Sequence, residues 1–274
     1  MAPAARGGGP RHRLPAVALL ALPLVAAISA QADRIATIAA VKGSIVAVGT
    51  FERTRAPPFR FLGTGFAVGD GTLIATNAHV LPPLIDPARR EVLAIMIPRP
   101  GDGDPDRAEV REAREFAVDD DADLALLKVA APALPPLKLG RSTQVSEGQD
   151  VAFTGYPIGA ILGLHPATHR GIVAAITPIA IPQARAGRLN AQTIRRLSGS
   201  AFPVLQLDAT AYPGNSGSPL YDPETGEVIG IVNMVFVKGT KESALTQPSG
   251  ITYAIPVSHL HDLLTRAAGA QAPR

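Results

Sequence analysis

The chain has 274 residues, 46% of them hydrophobic, which is enough for one large or two small hydrophobic cores. Three arginines in the first 32 residues account for the formal net charge of +3, because the other 23 basic residues equal the 23 acidic ones in number. The charge therefore gives no support for nucleic-acid binding, and we expect no nucleic-acid partner. The absence of cysteine excludes disulfide bonds, thiolate catalysis and cysteine-based zinc sites.

Residues 1–32 have the composition of a secretory signal peptide. Three arginines precede an apolar run, Leu14–Ala30, and Ala30 and Ala32 form an A-x-A cleavage pattern. The run is short for a membrane span and contains two prolines. We therefore expect an exported protein, periplasmic or secreted, with no membrane span in its mature part. The alternative is an uncleaved leader that anchors the chain in the membrane.

From residue 43 onward, short runs rich in β-branched residues alternate with Gly, Pro and Asp, which predicts an all-β protein. The predicted strands before the proline-rich linker Ala130–Gly140 are Gly43–Phe51, Phe61–Val68, Thr72–Thr76, Val92–Ile97, Glu109–Val118 and Leu124–Val129. Those after it are Gln149–Gly155, His169–Ile179, Phe202–Leu207, Ser218–Tyr221, Val228–Val237 and Gly250–Ile255. We accordingly divide the mature chain into residues 33–140 and 141–274.

The only helical spacing that we find in the sequence comes at its end, where Val257, Leu260, Leu263 and Leu264 follow Pro256 and predict one terminal helix. Two segments do not fit strands. Asp102, Asp104 and Asp106 alternate as in a calcium loop but lack its Gly and distal Glu, so we expect a solvated turn. Pro178–Ala201 is a long segment with four arginines and no acid, and loops of this length are usually functional or disordered.

A serine between two glycines marks the segment Ala211–Pro219. Gly214 allows a backbone conformation that a side chain would forbid, and the turn can present the hydroxyl of Ser216. It can also direct the N–H groups of Gly214 and Ser216 at one point, as stabilisation of an oxyanion requires. The same tetrapeptide is common in ordinary turns, so alone it leaves both interpretations open.

A serine nucleophile needs a general base, and His79 is the best placed of the six histidines because it directly follows a predicted strand. A carboxylate must then orient the imidazole. Asp123 opens the apolar run to Val129, whereas its rivals Asp119, Asp120 and Asp121 crowd together and favour water. His165 and His169 have zinc-pair spacing, but Pro166 and the missing Glu argue against a zinc-protease helix.

The motifs Thr76–Val80, Asp123–Val129 and Gly214–Gly217 occur in the order His, Asp, Ser. In this the chain resembles the trypsin-like (chymotrypsin-fold) serine proteases, most closely the bacterial HtrA/Deg branch. Further similar segments are Gly63–Phe66, Leu139–Ser142, Gly171–Val173, Gln206–Ala209 and Gly250–Pro256. The resemblance spans about Gly43 to Pro256, nearly the whole mature chain.

This resemblance implies two six-stranded antiparallel β-barrels with a short C-terminal helix and an active site between the barrels. It implies a serine endopeptidase in which Ser216 attacks, His79 exchanges the proton and Asp123 orients His79. Gly214, Asn215 and Ser216 would form the oxyanion hole. The substrate would be a protein or peptide, such as an exported or misfolded protein, and we expect neither a cofactor nor a metal ion.

Three departures from the family pattern stand out. Ser218 replaces a common glycine, the chain ends about 58 residues after Ser216 and so leaves no room for a C-terminal PDZ domain, and segment 178–201 is long. We expect this arginine-rich segment to gate activity. The primary specificity pocket would be lined by Thr210, Ala211, Asn233 and Met234. Since Asp208 is the only nearby acid, a small or aliphatic P1 residue fits better than a basic one.

Two other functions remain possible from the sequence. One is a binding or chaperone protein on a protease fold, with latent or lost activity. The other is a structural exported β-protein in which the three motifs are turns. The sequence leaves the oligomeric state open.

Overall fold

The computed structural model describes residues 33–98, 108–141, 144–178, 202–233 and 250–270. Several predictions lie outside these residues: the signal peptide at 1–32, the turn at Asp102–Asp106, Met234 as a pocket residue, and the gating segment Pro178–Ala201 apart from Pro178 itself. The ends of two predicted strands, at Ile179 and at residues 234–237, also lie outside them. Within the described part of the chain, no helix combines the length and hydrophobicity that crossing a membrane requires.

Six antiparallel strands close into the first barrel in the order β1-β2-β3-β6-β5-β4. They are β1 (Ile45–Phe51), β2 (Phe59–Val68), β3 (Leu73–Thr76), β4 (Val92–Ile97), β5 (Glu109–Asp119) and β6 (Leu124–Val129). Alternate residues point inward, as the two-residue period of a strand requires. Val46, Val48, Ile74, Ile95 and Leu127 thus fill the interior.

The second barrel closes in the order β10-β11-β12-β9-β8-β7, again antiparallel. Its strands are β7 (Asp150–Gly155), β8 (Ala167–Pro178), β9 (Pro203–Asp208), β10 (Pro219–Tyr221), β11 (Val228–Asn233) and β12 (Ile251–Pro256). The predicted fold of two six-stranded barrels is confirmed. First-barrel strands end at Val129 and second-barrel strands begin at Asp150, so the domain boundary at residue 140 stays a prediction.

A hydrophobic cluster spans the two barrels and holds them together. It includes Phe66 and Leu126 from the first barrel, and Tyr156 and Tyr221 from the second. Burying such large side chains contributes roughly 1.5–3 kcal/mol each. This shared cluster therefore fixes the two barrels to each other.

Helices lie outside the barrels. The terminal helix was predicted and spans Val257–Ala270 (α3), with Val257, Leu260 and Leu263 buried. Its Arg266 pairs with Asp119, which ties the helix to the first barrel. A four-residue helix, Gly159–Leu162 (α2), follows β7 and was not predicted.

Residues 33–42 form a further helix (α1), so the expectation that helical spacing occurs only at the chain end was wrong. Val41 is 2% exposed, and Thr37 donates from Oγ1 to the carbonyl of Glu224 at 3.1 Å. Ile35, by contrast, is 64% exposed, so the buried face of the described helical residues is narrow. Docking on the second barrel, rather than a strong local pattern, stabilises the helix.

Candidate active site

His79 lies in a tight turn, Ala78–Val80, directly after β3. Two donors hold this turn to the backbone carbonyl of Asp123: the Ala78 N–H at 3.1 Å and the side-chain amide of Asn77 at 3.1 Å. Asn77 is fully buried. These two hydrogen bonds thus hold His79 beside the start of β6 in one fixed orientation.

Both carboxylate oxygens of Asp123 contact His79. The Nδ1 atom of the imidazole lies 2.7 Å from Oδ2, and the backbone N–H of His79 donates to Oδ1 at 2.9 Å. The side chain of Asp123 is 4% exposed and that of His79 is 29% exposed. A carboxylate beside Nδ1 favours the tautomer with the proton on Nδ1, which leaves Nε2 free to accept a proton.

A third group completes the surroundings of this carboxylate. The side-chain amide of Asn233, at the end of β11, donates to Oδ2 of Asp123 at 2.7 Å. A buried carboxylate needs such donors because its desolvation is otherwise costly. Asn233 as a pocket-lining residue stays a prediction, but its amide already has this partner.

The rival acids are arranged differently. Asp120 and Asp121 are exposed, and Asp119 accepts from the N–H of Ala122 and pairs with Arg266. Of these four neighbouring aspartates, Asp123 is the one whose carboxylate contacts His79. Its backbone takes the left-handed region, with φ at 53°, which is uncommon for a residue other than glycine.

The turn that carries Ser216 depends on two glycines with positive φ. Gly214 has φ of 102°, and a Cβ atom there would lie 2.2 Å from the carbonyl oxygen of Tyr156. Gly217 has φ of 84°, and a Cβ atom there would lie 2.1 Å from the carbonyl oxygen of Thr64. No other residue type fits either position without moving the backbone.

Ser216 packs against the first barrel. Its carbonyl accepts from the N–H of Thr64 on β2 at 2.9 Å, and the residue is 7% exposed. A Cβ atom on Gly63 would lie 3.1 Å from that carbonyl and 2.7 Å from the side chain of Val80. Gly63 thus separates the serine turn from the residue that follows His79.

The structure brings His79 and Asp123 into contact, and the turn that carries Ser216 packs against β2, the strand that pairs with β3. Among the described residues, the hydrogen bonds of the His79 side chain do not include one to Ser216. Hydrogen bonds between a base and its nucleophile are often long without substrate and shorten when substrate binds. The arrangement is compatible with nucleophilic chemistry at Ser216.

Two backbone donors in the serine turn have no protein acceptor among the described residues, the N–H groups of Gly214 and Ser216. The N–H between them, that of Asn215, is engaged, since it donates to the carbonyl of Tyr212 at 2.9 Å. The N–H groups of Gly214 and Ser216 are therefore both available to donate to an oxyanion. The role of Asn215 as an oxyanion donor stays a prediction. Its side-chain amide is fully buried and forms no hydrogen bond with the described protein groups.

Sequence reasoning missed a threonine behind the predicted pocket residues. The hydroxyl of Thr252 on β12 accepts from the N–H of Ala211 at 3.1 Å and donates to the carbonyl of Ala209 at 2.7 Å. These two hydrogen bonds therefore fix the backbone on both sides of Thr210. A buried threonine in a strand gives no sequence signal of such a role.

His169 supports the segment before the serine turn. Its ring stacks on Phe153, with centroids 4.9 Å apart and planes at 17°, and it lies 6.0 Å from the ring of Tyr212. Burial lowers the pKa of His169 below 6.5, because the charged imidazolium loses its hydration there. His169 thus packs as a half-buried aromatic ring between Phe153 and Tyr212.

A shallow cleft of about 280 Å³ lies beside the segment that follows His79. Its apolar lining is Leu81, Pro82, Ile85, Val92, Leu93 and Ala113, and its charged lining is Glu91, Glu112, Arg114 and Glu115. The cleft does not include His79, Asp123 or Ser216. It is therefore separate from the Asp–His pair.

Comparison with known proteins agrees with this geometry. The family model described as "Trypsin-like peptidase domain" matches residues 63–231. Two similar curated proteins are both named "Probable periplasmic serine endoprotease DegP-like". The one from Halomonas elongata is 33% identical over 205 residues, 74% of this chain and 34% of that protein. The one from Pseudomonas fulva is 31% identical over 202 residues, with the same shares.

The chain thus spans about a third of the length of the curated relatives it matches. The resemblance to trypsin-like proteases of the HtrA/Deg type is confirmed. Together, the family model and the names of these relatives support a serine endopeptidase.

Proposed function

The chain belongs to the trypsin-like peptidase family, and we propose that it is a serine endopeptidase acting through His79, Asp123 and Ser216. The contact between Asp123 and His79, with Nδ1 2.7 Å from the carboxylate, is the observation that carries this proposal. It leaves the outer nitrogen of the imidazole, Nε2, available as a base for Ser216.

In the first half of the reaction, Oγ of Ser216 attacks the carbonyl carbon of a peptide bond while His79 accepts the hydroxyl proton at Nε2. The tetrahedral intermediate collapses, the C–N bond breaks, and His79 gives the proton to the leaving amine. An ester between Ser216 and the acyl part of the substrate remains. Water then attacks this ester with His79 again as base, and Ser216 leaves with the returned proton.

Asp123 orients the imidazole and stabilises its protonated form. The donor from Asn233 and the backbone N–H of His79 keep this carboxylate in place. The oxyanion of the intermediate is bound by the turn Gly214–Asn215–Ser216, through the N–H groups of Gly214 and Ser216. Removing one such donor typically lowers turnover about 10²–10³-fold.

For specificity, we propose that Thr210, Ala211, Asn233 and Met234 line the primary pocket and favour a small or aliphatic P1 residue. The one acid nearby, Asp208, is exposed at the end of β9, where it lies opposite Ile172 and Ile251. A basic P1 side chain therefore finds no buried partner in the described part of this segment.

We further propose that residues 1–32 direct export, so that the enzyme acts on exported or misfolded proteins in the periplasm or outside the cell. The names of the curated relatives place those proteins in the periplasm. Residues 33–140 and 141–274 would each carry one barrel of a single protease unit.

Hydrolysis of casein and of a P1-varied peptide library by the purified chain tests this function. We expect cleavage by the wild type and by Ser146→Ala, which alters an exposed serine, and no cleavage by Ser216→Ala. Equal cleavage by Ser216→Ala would refute the proposal, and cleavage mainly after Lys or Arg would refute the pocket assignment.

A second function is supported by one observation, the absence of a hydrogen bond between His79 and Ser216 in the described structure. In this alternative the chain binds unfolded proteins and its chemistry is latent. Suppression of casein aggregation by Ser216→Ala, together with an unreactive Ser216 in the wild type, would favour the binding function.

A further inference from the structure

Three successive backbone carbonyls in the serine turn, those of residues 213, 214 and 215, each accept a hydrogen bond from a residue outside 213–215. The carbonyl of Pro213 accepts from the N–H of Ile158 at 2.7 Å, and that of Asn215 from the N–H of Ser218 at 3.0 Å. The carbonyl between them, that of Gly214, accepts from a side chain, Oγ1 of Thr64, at 2.6 Å.

These bonds determine where the N–H groups of the turn point. In a trans peptide the N–H and C=O groups point in opposite directions. The bond to Pro213 therefore directs the N–H of Gly214, and the bond to Asn215 directs the N–H of Ser216. The peptide between Gly214 and Asn215 sets the angle between these two donors. Thr64 holds this peptide at its carbonyl, and the carbonyl of Tyr212 holds it at its N–H.

Thr64 lies on β2 of the first barrel, whereas the turn belongs to the second barrel. Thr64 is fully buried, and its hydroxyl accepts from the N–H of Tyr156 at 3.1 Å. With that acceptor position filled, the single hydroxyl proton is directed to Gly214. The backbone N–H of Thr64 also donates to the carbonyl of Ser216 at 2.9 Å, so one residue holds the turn at two places.

The glycine at 214 makes this support necessary. Gly214 has φ of 102° and no side chain to restrict rotation of the adjoining peptides. A neighbouring residue, Ile158, also has an unusual backbone conformation that its surroundings impose. Ile158, which holds the preceding peptide, is β-branched and yet left-handed, with φ of 51° and ψ of 31°. Such conformations persist where the surrounding structure imposes them.

We propose that Thr64 is a positioning residue for the reaction. Its hydroxyl, on the first barrel, holds the oxyanion-binding turn of the second barrel in place. The inference rests on the proposed peptidase function. It assigns to Thr64 no contact with substrate. The hydroxyl acts by keeping the N–H groups of Gly214 and Ser216 directed at one point.

The test compares Thr64→Val, which keeps the shape and removes the hydroxyl, with Thr64→Ser, which keeps the hydroxyl. Thr76→Val is the matched control, because Thr76 is also buried and donates from Oγ1 to the carbonyl of Thr64 at 2.7 Å. We expect Thr64→Val to lower kcat about 10- to 100-fold with KM nearly unchanged, since the oxyanion forms only in the reaction. Thr64→Ser should restore most of kcat.

Affinity for a peptide aldehyde gives a second measurement. The aldehyde forms a tetrahedral oxyanion on Ser216, so its affinity should fall in Thr64→Val by about the same factor as kcat. Equal losses of kcat in Thr64→Val and Thr76→Val, or a Thr64→Val enzyme with wild-type kcat, would overturn the proposal. If Thr64→Val does not fold, Thr64→Cys, with its weak donor, replaces it and the same outcomes apply.

Amide hydrogen exchange separates this inference from the proposed function. Exchange at the N–H groups of Tyr156 and Asn215, both of which are hydrogen-bonded, should be at least about 10-fold faster in Thr64→Val than in Thr76→Val. An inactive wild type would refute the peptidase function, while unchanged exchange would refute the role of Thr64 whatever the activity.

Discussion

Asp123 holds His79 through two separate contacts, one to the imidazole Nδ1 at 2.7 Å and one from the backbone N–H at 2.9 Å. The second contact fixes the position of the residue, and the first fixes the orientation and tautomer of its ring. The two functions of the carboxylate can therefore be separated by substitution.

Replacing Asp123 with Asn preserves the shape of the side chain but removes the negative charge and one acceptor. We expect the imidazole to lose its preferred tautomer, and kcat on a peptide substrate to fall about 10⁴-fold. The KM should change less than kcat, because Asp123 reaches the proposed pocket only through its hydrogen bond with the amide of Asn233. Steady-state kinetics measures both quantities.

Asp121→Asn serves as the control for this variant, since Asp121 is exposed two residues away. It should retain wild-type kinetics. Comparable activity in Asp123→Asn and the wild type would remove Asp123 from the mechanism and return the choice of acid to its neighbours.

The hydroxyl of Thr252 bridges the carbonyl of Ala209 and the N–H of Ala211. Thr252→Val leaves both backbone groups buried and unpaired, so we expect the free energy of unfolding to fall by about 1–3 kcal/mol. The KM for small P1 substrates should rise because Thr210 is no longer fixed on both sides. Urea denaturation and steady-state kinetics provide the measurements.

Thr252→Ser is the matched variant, because it retains the hydroxyl and loses a methyl group. It should lie much closer to the wild type in KM. A serine variant as impaired in KM as the valine variant would show that packing, and not the two hydrogen bonds, fixes the pocket wall.

Gly155 at the end of β7 faces Ser218, which directly precedes the neighbouring strand β10 of the same barrel. A Cβ atom on Gly155 would lie 2.0 Å from Oγ of Ser218. We expect Gly155→Ala to lower the free energy of unfolding by about 1–3 kcal/mol through overpacking. Denaturation of the two single variants and of Gly155→Ala/Ser218→Gly gives the coupling energy.

The double variant should recover part of the stability that Gly155→Ala loses. Its recovery is partial because Oγ1 of Thr64 is 2.8 Å from the same point. Gly269→Ala, where the added methyl meets no atom within 4 Å, should be neutral or slightly stabilising. Strictly additive losses in the double variant would contradict this packing of Gly155 against Ser218.

Glu91 ties the segment after His79 to the β1–β2 hairpin. Hydrogen bonds from the Thr50 hydroxyl at 2.6 Å and from Arg55 at 2.8 Å lower the pKa of Glu91 from 4.5 to about 2. Because the folded-state pKa lies below the unfolded value, this contribution is complete above pH 4.5. It is lost as the pH falls from 4.5 towards 2.

Glu91→Gln should therefore be less stable than the wild type at pH 7, by about 1–3 kcal/mol. The difference should shrink between pH 4.5 and pH 2, as followed by denaturation at several pH values. Glu224→Gln, which breaks an exposed ion pair with Arg34, should cost less than about 1 kcal/mol. A constant difference between Glu91→Gln and the wild type over this pH range would contradict the assignment.

The twelve strands could be predicted because two-residue periodicity and β-branched residues are local properties of the chain. Helix α1 could not, because residues 33–42 carry a weak apolar pattern and depend on docking to the loop near Glu224. The closure of the strands into two barrels came from the resemblance and not from the pattern.

In the candidate site, the choice of Asp123 over its neighbours followed from its place at the start of an apolar run, and the structure turns that residue to His79. The partners of Thr64, Thr252 and Asn233 could not be predicted. Thr64 and Gly214 are 150 positions apart, and Asn233 and Asp123 are 110 apart. Such contacts depend on how the barrels pack, which no local pattern encodes.

Reaction of the wild-type chain with a fluorophosphonate probe, with mass spectrometry to locate the label, tests the central claim most directly. We expect rapid labelling at Ser216 alone, and labelling slower by at least about 10³-fold in His79→Ala. A folded wild-type chain that stays unlabelled, or a His79→Ala variant labelled as fast as the wild type, would contradict it.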